Sequence, residues 1–446
     1  MAKTKVGERY SVSLGIPIAR DGGKEDVAVF NDAAVTQFSL EIPVNMLPFG
    51  TAKVVGESDD TKNPISGVYG SLIFQGVKTD GSALEIPIYI TSAVNTELSE
   101  NASSIDLEFT VGSEGMHSIM DALAVDGTSV EAMSKIFTSL GVNYVDYVTP
   151  VKGANGVSDN MTWRFVSGTM SDYLDNVVRH SSLNGDILYW SFDDANLNFR
   201  IGSFNVSKAS KNKNFMMYTH DSITTTSSAK KRVKGCDTDV WYYSGYLPSD
   251  LSGDLRVYRA PNMIIDSSAS GSNKDTGICS KDCWTAIIGA MGANEEYLEN
   301  SAYGKQYVVK PFPGNTHKTY SIAPFVRNYM LAEYSRMVKV RIYNHPGPAI
   351  GSCVHFYAAS SKLKSGDFLP DDNYTARYIV VGKKIVKDAT TSVGVLGVTT
   401  DTNTSDMVTE LTMVTNNGYA GTLSPDYKAV MQLAESVTTA IEKERK

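Results

Sequence analysis

Along the first 111 residues, apolar and polar side chains alternate with a period of two. Phe38, Leu40, Ile42 and Val44 alternate with Gln37, Ser39, Glu41 and Pro43. Leu84, Ile86, Ile88 and Ile90 alternate with Glu85, Pro87 and Tyr89, and Ile105, Leu107, Phe109 and Val111 with Asp106, Glu108 and Thr110. A strand with one face buried and one wet carries this pattern. Leu72-Ile73-Phe74 runs through Thr79-Asp80-Gly81-Ser82 into the second of these strands, and Asp-Gly between apolar runs signals a hairpin. A proline cannot donate to a sheet ladder, so Pro43 and Pro87 predict edges or bulges. Leu40-Glu41-Ile42-Pro43-Val44 is nearly repeated as Leu84-Glu85-Ile86-Pro87-Ile88. Residues 1–111 therefore read as a small antiparallel barrel or sandwich.

The period then changes. Residues 115–125 and 129–140 read as helices. Ser129 is placed to cap the second, and Val130, Met133, Ile136, Phe137 and Leu140 form its buried stripe before Gly141 stops it. A third helix opens at Thr169-Met170-Ser171-Asp172, a capping box with Asp in place of Glu, and buries Tyr173, Leu174, Val177 and Val178. Asn184-Gly185 turns the chain into Ile187–Phe192, and Asp193-Asp194-Ala195-Asn196 returns it through Leu197, Phe199 and Ile201. Residues 112–205 form an α+β middle domain on this reading.

Residues 206–330 have no sustained period. They are Ser- and Lys-rich, with a loop at 267–272 and short strands near Asp239–Tyr243 and Gln306–Val309. The alternation returns at Val338, Val340 and Ile342, with strands expected near Ser352–Tyr357, Arg377–Val381 and Met407–Val414, making residues 331–420 a second β domain. Residues 421–446 read as an amphipathic helix with Ser424 as cap and Pro425 in its first turn. Tyr427, Val430, Leu433, Ala434, Val437 and Ile441 line one face.

Composition narrows the class. Of 446 residues, 42% are hydrophobic and 20% charged, enough for real cores and unlike a disordered chain. No apolar run approaches the ~18 residues of a membrane helix. The first residues lack the apolar core of a signal peptide, so the Asn-x-Ser/Thr sequons at Asn101, Asn160, Asn205, Asn373 and Asn403 are expected to carry no glycan. Cys236, Cys279, Cys283 and Cys353 are too few for a disulfide scaffold and suit a reducing compartment. A net charge of −8 argues against nucleic-acid binding as the main task.

Candidate chemistry is sparse. The six histidines do not form a zinc-protease spacing, and the nucleophile-elbow, Walker and dinucleotide fingerprints are missing. Cys279 and Cys283 lack the second pair of soft ligands that zinc takes. Asp193-Asp194 and Asp237–Asp239 lie in turn contexts where Asp is common. No cofactor, metal or catalytic residue is expected. The strongest local feature is basic: seven lysines and arginines against one acid, Asp221, between positions 208 and 234. Within it, Lys230, Lys231, Arg232 and Lys234 are candidate contacts for an acidic partner, or else a solvated loop. Tyr427, Val430 and Val437 of the last helix are candidate contacts to a neighbouring subunit, or else pack on their own domain.

The segment Gly168-Thr169-Met170-Ser171-Asp172-Tyr173-Leu174-Asp175-Asn176-Val177-Val178-Arg179, followed by Gly185-Asp186-Ile187-Leu188-Tyr189-Trp190, resembles the helix-then-hairpin unit of baseplate hub proteins from contractile-tailed bacteriophages, the late-control hub family. Ala376–Val381 and Thr409–Met413 resemble the closing strands of that family's second barrel. Residues 206–330 match nothing in it. The resemblance implies a β-rich α+β fold of two tail-tube-like antiparallel barrels, an α/β middle domain and a C-terminal helix. It implies a homotrimer in the virion, assembled in the host cytoplasm. Its partners would be the tail tube protein, the central spike, the tape-measure protein and the baseplate wedge proteins, with no specific nucleic acid and no membrane insertion. The acidic balance suits a lumen that DNA passes without sticking. Two further readings stay open: another tail component such as a tube initiator or wedge, and a carbohydrate-binding or receptor-binding β protein using its tyrosines and tryptophans.

Overall fold

The computed structural model describes residues 10–20, 24–61, 63–76, 82–112, 114–148, 159–181, 183, 187–194, 196–204, 215–218, 240–243, 245–250, 336–343, 346–357, 359–364, 367–370, 376–388 and 407–415. The N-terminal part gives β1 (Ser11–Arg20), β2 (Lys24–Phe30), β3 (Val35–Pro43), β4 (Phe49–Glu57), the single turn α1 (Ser58–Thr61), β5 (Val68–Gln75), β6 (Leu84–Ser99) and β7 (Ala102–Val111). The middle gives α2 (Glu114–His117), β8 (Leu123–Gly127), α3 (Ser129–Ser139), β9 (Tyr144–Asp146), β10 (Met161–Phe165), α4 (Met170–His180), β11 (Ile187–Asp193) and β12 (Asn198–Phe204). The remainder gives β13 (Phe215–Tyr218), β14 (Val240–Tyr243), β15 (Gly245–Asp250), β16 (Arg336–Tyr343), β17 (Cys353–Tyr357), β18 (Ala359–Lys364), β19 (Asp367–Pro370), β20 (Ala376–Asp388) and β21 (Met407–Thr415).

The fold is β-rich, with a large, mainly antiparallel sheet and few helices. Its strands run in the order β14-β13-β17-β20-β3-β4-β7-β6-β5-β1-β2, and β21, β16 and β15 extend it from β20. The N-terminal and C-terminal strand sets are thus one hydrogen-bonded sheet, joined where β20 pairs with β3. Strand β20 lies beside β17 over its first residues and beside β3 over its last, while β21 follows it on the other side with a register shift between Val380 and Gly382. Smaller sheets pair β8 with β10, β9 and β11 with β12, and β18 with β19.

The alternation read from the sequence is the burial pattern of the inner strands. Leu40, Ile42, Leu84, Ile86, Ile88, Ile90, Ile105, Leu107, Phe109 and Val111 are all buried. Phe74 faces Leu84 across β5 and β6, as the hairpin signal predicts; the Asp80-Gly81 turn itself lies outside the described residues. Pro87 sits in an inner strand rather than at an edge. Its carbonyl accepts from Gly112 N (3.1 Å) just past the end of β7, so the missing N–H costs the last bond of a ladder and not one in its middle. Pro43 ends β3 opposite Gly382, at the irregularity in β20.

Two helical expectations need correction. Residues 115–125 are not one helix: α2 is a single turn, and the chain then extends as β8. Leu123 and Val125 lie opposite Phe165 and Trp163 of β10, whose Met161, Trp163 and Phe165 are buried. Pairing with a distant strand decided a short apolar run whose period was ambiguous. The cap of α3 is Thr128, not Ser129. Thr128 Oγ1 accepts from Glu131 N, and Thr128 N donates to the Glu131 carboxylate at 2.7 Å. Ser129 lies buried just inside the helix. The box at Thr169 and Asp172 and the buried face Tyr173, Leu174, Val177 and Val178 are as the sequence indicates.

Candidate functional site

Strand β11 is buried on both faces. Leu188, Tyr189, Trp190, Ser191, Phe192 and Asp193 are all inaccessible, which explains an apolar run without alternation. On one face Trp190 and Phe192 pack on Phe199 (centroids 5.9 and 5.4 Å), which stacks on Phe137 of α3 at 5.4 Å. On the other, the Tyr189 ring lies against Gly202 and Gly351. A Cβ at Gly351 would sit 1.4 Å from the Tyr189 hydroxyl, and φ there is +78°, so glycine is required twice over.

Three connections fasten this hairpin to the sheet. The first combines one main-chain and one side-chain bond: Asn45 N donates to the Trp190 carbonyl (2.8 Å), and Trp190 N donates back to the Asn45 side-chain oxygen Oδ1 (3.0 Å). Asn45 follows β3 in the left-handed region, φ 57°, which asparagine tolerates better than most residues. The second is Tyr189 on Gly351, whose own N–H donates to the Val380 carbonyl of β20 (2.7 Å). The third is ionic. Lys383 Nζ donates to Asp194 Oδ2 at 2.6 Å, with side chains 1% and 5% exposed.

A second lysine lies on the same inner face. Lys387 Nζ donates to Asp32 Oδ1 (2.7 Å) and to the Asp32 carbonyl, in the turn between β2 and β3. Asp32 Oδ1 also accepts from Val12 N at 3.2 Å. Close by, the Tyr10 hydroxyl is buried without a hydrogen-bond partner. Burial, and then the Asp194 charge, push its pKa well above the phenol range, so it stays protonated.

These contacts form a joint between the hairpin and the sheet. Asp193 Oδ2 accepts from Asn196 Nδ2 (2.9 Å) while Asp194 faces Lys383, so the adjacent carboxylates have separate structural partners. Cys353 is a buried free thiol pushed up to about 11 by burial, which leaves it no thiolate character near neutrality. Among the described residues, no group of His, Cys, Asp and Glu is placed to hold a metal, and no helix is long and apolar enough to cross a membrane. The contacts expected at Lys230, Lys231, Arg232, Lys234, Tyr427, Val430 and Val437 lie outside the described residues, as do Cys279, Cys283 and Asp237–Asp239. The sequence reading missed Asp32, Asn45, Lys383 and Lys387. The last two had a signal: in a strand, Lys383 and Lys387 share a face with the apolar Ile385.

A separate aromatic group lies near the surface of the N-terminal strands. The rings of Tyr69 and Tyr89 are 5.2 Å apart, and Tyr89 stacks on His117 at 5.2 Å. Tyr69 is exposed.

No family model matches the chain, and no curated protein matches it. Solved structures do. The chain is similar to a tail protein from Neisseria meningitidis MC58, with TM-score 0.45 and 12% identity over 94% of this chain and 99% of that one. It is similar to the 43 kDa tail protein of prophage MuSo2 from Shewanella oneidensis, with TM-score 0.44 and 9% identity over 91% and 98%. It is also similar to prophage tail protein gp18 from Listeria monocytogenes EGD-e, with TM-score 0.41 and 11% identity over 96% and 99%.

Proposed function

We propose that this chain is a structural subunit of a contractile phage tail, the baseplate hub, which as a homotrimer joins the tail tube to the central spike around the tape-measure and DNA channel. One observation supports this most directly. The residues that carry the hub resemblance build α4 and then β11, and this unit is fastened to both strand sets through Asn45, Gly351 and Lys383. A ring subunit between tube and spike has to keep its domains in fixed relation under load. Hydrogen bonds, a glycine-locked ring and a buried ion pair suit that task. The proposed partners are the tube, spike, tape-measure and wedge proteins. Lys230, Lys231, Arg232 and Lys234 are proposed to meet an acidic partner, and Tyr427, Val430 and Val437 a neighbouring subunit.

Negative-stain electron microscopy of the purified chain, alone and with its spike, tests this reading. Threefold rings with a central channel are expected. A monomer in both preparations would overturn it.

A second reading is favoured by Tyr69, which is exposed beside Tyr89 and His117, because an exposed aromatic ring with a polar tip suits a sugar. Binding on a glycan array that is lost in Tyr69→Ala would support it; a blank array would dismiss it.

A further inference from the structure

The inner face of β20 reads Lys383, Ile385, Lys387, and both lysines are buried opposite acids from distant elements. Along a strand the two ammonium-bearing positions are roughly 13 Å apart. Asp194 is presented by the turn after β11 and Asp32 by the turn after β2, so each acid marks one fixed point along β20. We infer that these two pairs act as a register key, which lets β20 close against β3 in one alignment only, and only after the β11–β12 hairpin has docked.

Apolar-polar alternation cannot do this alone. A slip of one residue turns every side chain to the other face and is excluded by the core, but a slip of two preserves the pattern. Slid two residues one way, β20 would place Ile385 against Asp194 and bury Lys387 where Ile385 stood. Slid the other way, it would bury Lys383 in the place of Ile385 and set Ile385 against Asp32. Each slipped form strands a charge in a dry interior, which the aligned form does not. The problem is acute here because β3 and β20 are so far apart in sequence: Lys384 and Glu41, which face each other across the pair, are 343 residues apart, so no turn sets the alignment. Asp194 reaches its position only with the hairpin seated at Asn45, so the key also makes sheet closure depend on the middle unit.

Paired cysteines read the register directly. Glu41 and Lys384 are opposed and partly exposed, so Glu41→Cys with Lys384→Cys reports the native alignment. Glu41→Cys with Val386→Cys reports a two-residue slip one way, and Glu41→Cys with Gly382→Cys a slip the other way. Each pair is oxidised in the full chain, and the linked peptides are identified by mapping. With the key intact, only the native pair should cross-link. With Lys383→Met, Asp194→Leu, Lys387→Met and Asp32→Asn combined, a slipped pair should appear at a tenth of the native yield or more. A charge exchange, Lys383→Asp with Asp194→Lys, should restore native-only linking when Lys387 and Asp32 are kept. A folded charge-free variant that still links only the native pair overturns the inference. So does one that fails to fold, since the pairs would then be needed for stability itself, and so does a charge-exchanged chain that slips.

Discussion

Lys383 and Asp194 are 189 residues apart in sequence, yet their side chains meet at 2.6 Å in the interior. Burying an ion pair costs desolvation that the attraction only partly returns, whereas leaving one member alone costs about 3–5 kcal/mol. Lys383→Met and Asp194→Leu should each destabilise the protein by that amount, and the double substitution by much less. Urea unfolding of the two single variants and the double variant measures it. Additive losses would mean that the pair is not the coupling element of the joint.

Asn45 serves the joint in two ways, by its left-handed backbone and by accepting from Trp190 N. Asn45→Ala removes both and should cost about 2 kcal/mol. Asn45→Gly keeps the backbone freedom and should cost about half as much. Thermal unfolding ranks the three proteins, and an alanine variant no worse than glycine would remove the backbone from the account.

Gly351→Ala should be among the most damaging single-methyl additions in the chain, costing about 3 kcal/mol or more through clash and positive φ together. Tyr189→Phe should rescue little, because the ring carbon Cζ stays 2.3 Å from the added methyl after the hydroxyl is gone. Full rescue by phenylalanine would place the clash at the hydroxyl alone.

The caps of α3 and α4 make a pH-dependent contribution. Backbone and side-chain hydrogen bonds from Thr128 hold the Glu131 carboxyl below its ordinary pKa, and those from Thr169 do the same for Asp172. A carboxylate with a depressed folded-state pKa contributes stability that is present above its unfolded pKa and lost as pH falls through the folded value. Asp172→Asn should therefore cost roughly 0.5 kcal/mol or less near neutral pH, since solvent screens this exposed carboxylate, and that cost should shrink as the solution is acidified through the carboxylate range. Chemical denaturation of wild type and variant across pH reads the difference; a cost independent of pH would remove the carboxylate charge from the account of the cap.

Much of this architecture was legible along the chain because its causes are local. The alternations around Leu40, Ile86 and Leu107 name both the strands and their buried faces, since a pleated strand repeats every two residues whatever it pairs with. Thr169 and Asp172 mark a helix start because a cap is satisfied within four residues. Even the buried lysines were implicit in Lys383-Ile385-Lys387, given that the segment is a strand. Tertiary structure alone decided the rest. Leu123–Val125 became a strand because Trp163 and Phe165 were there to pair with it. Asn45 became a fastening because Trp190 arrived beside it, and Gly351 a seat because Tyr189 did. Strand β20 united the two strand sets, and Asp32 and Asp194 became the partners of its lysines, because desolvated charges must find each other in space. A linear pattern specifies which faces turn inward. It carries no record of which distant group each will meet.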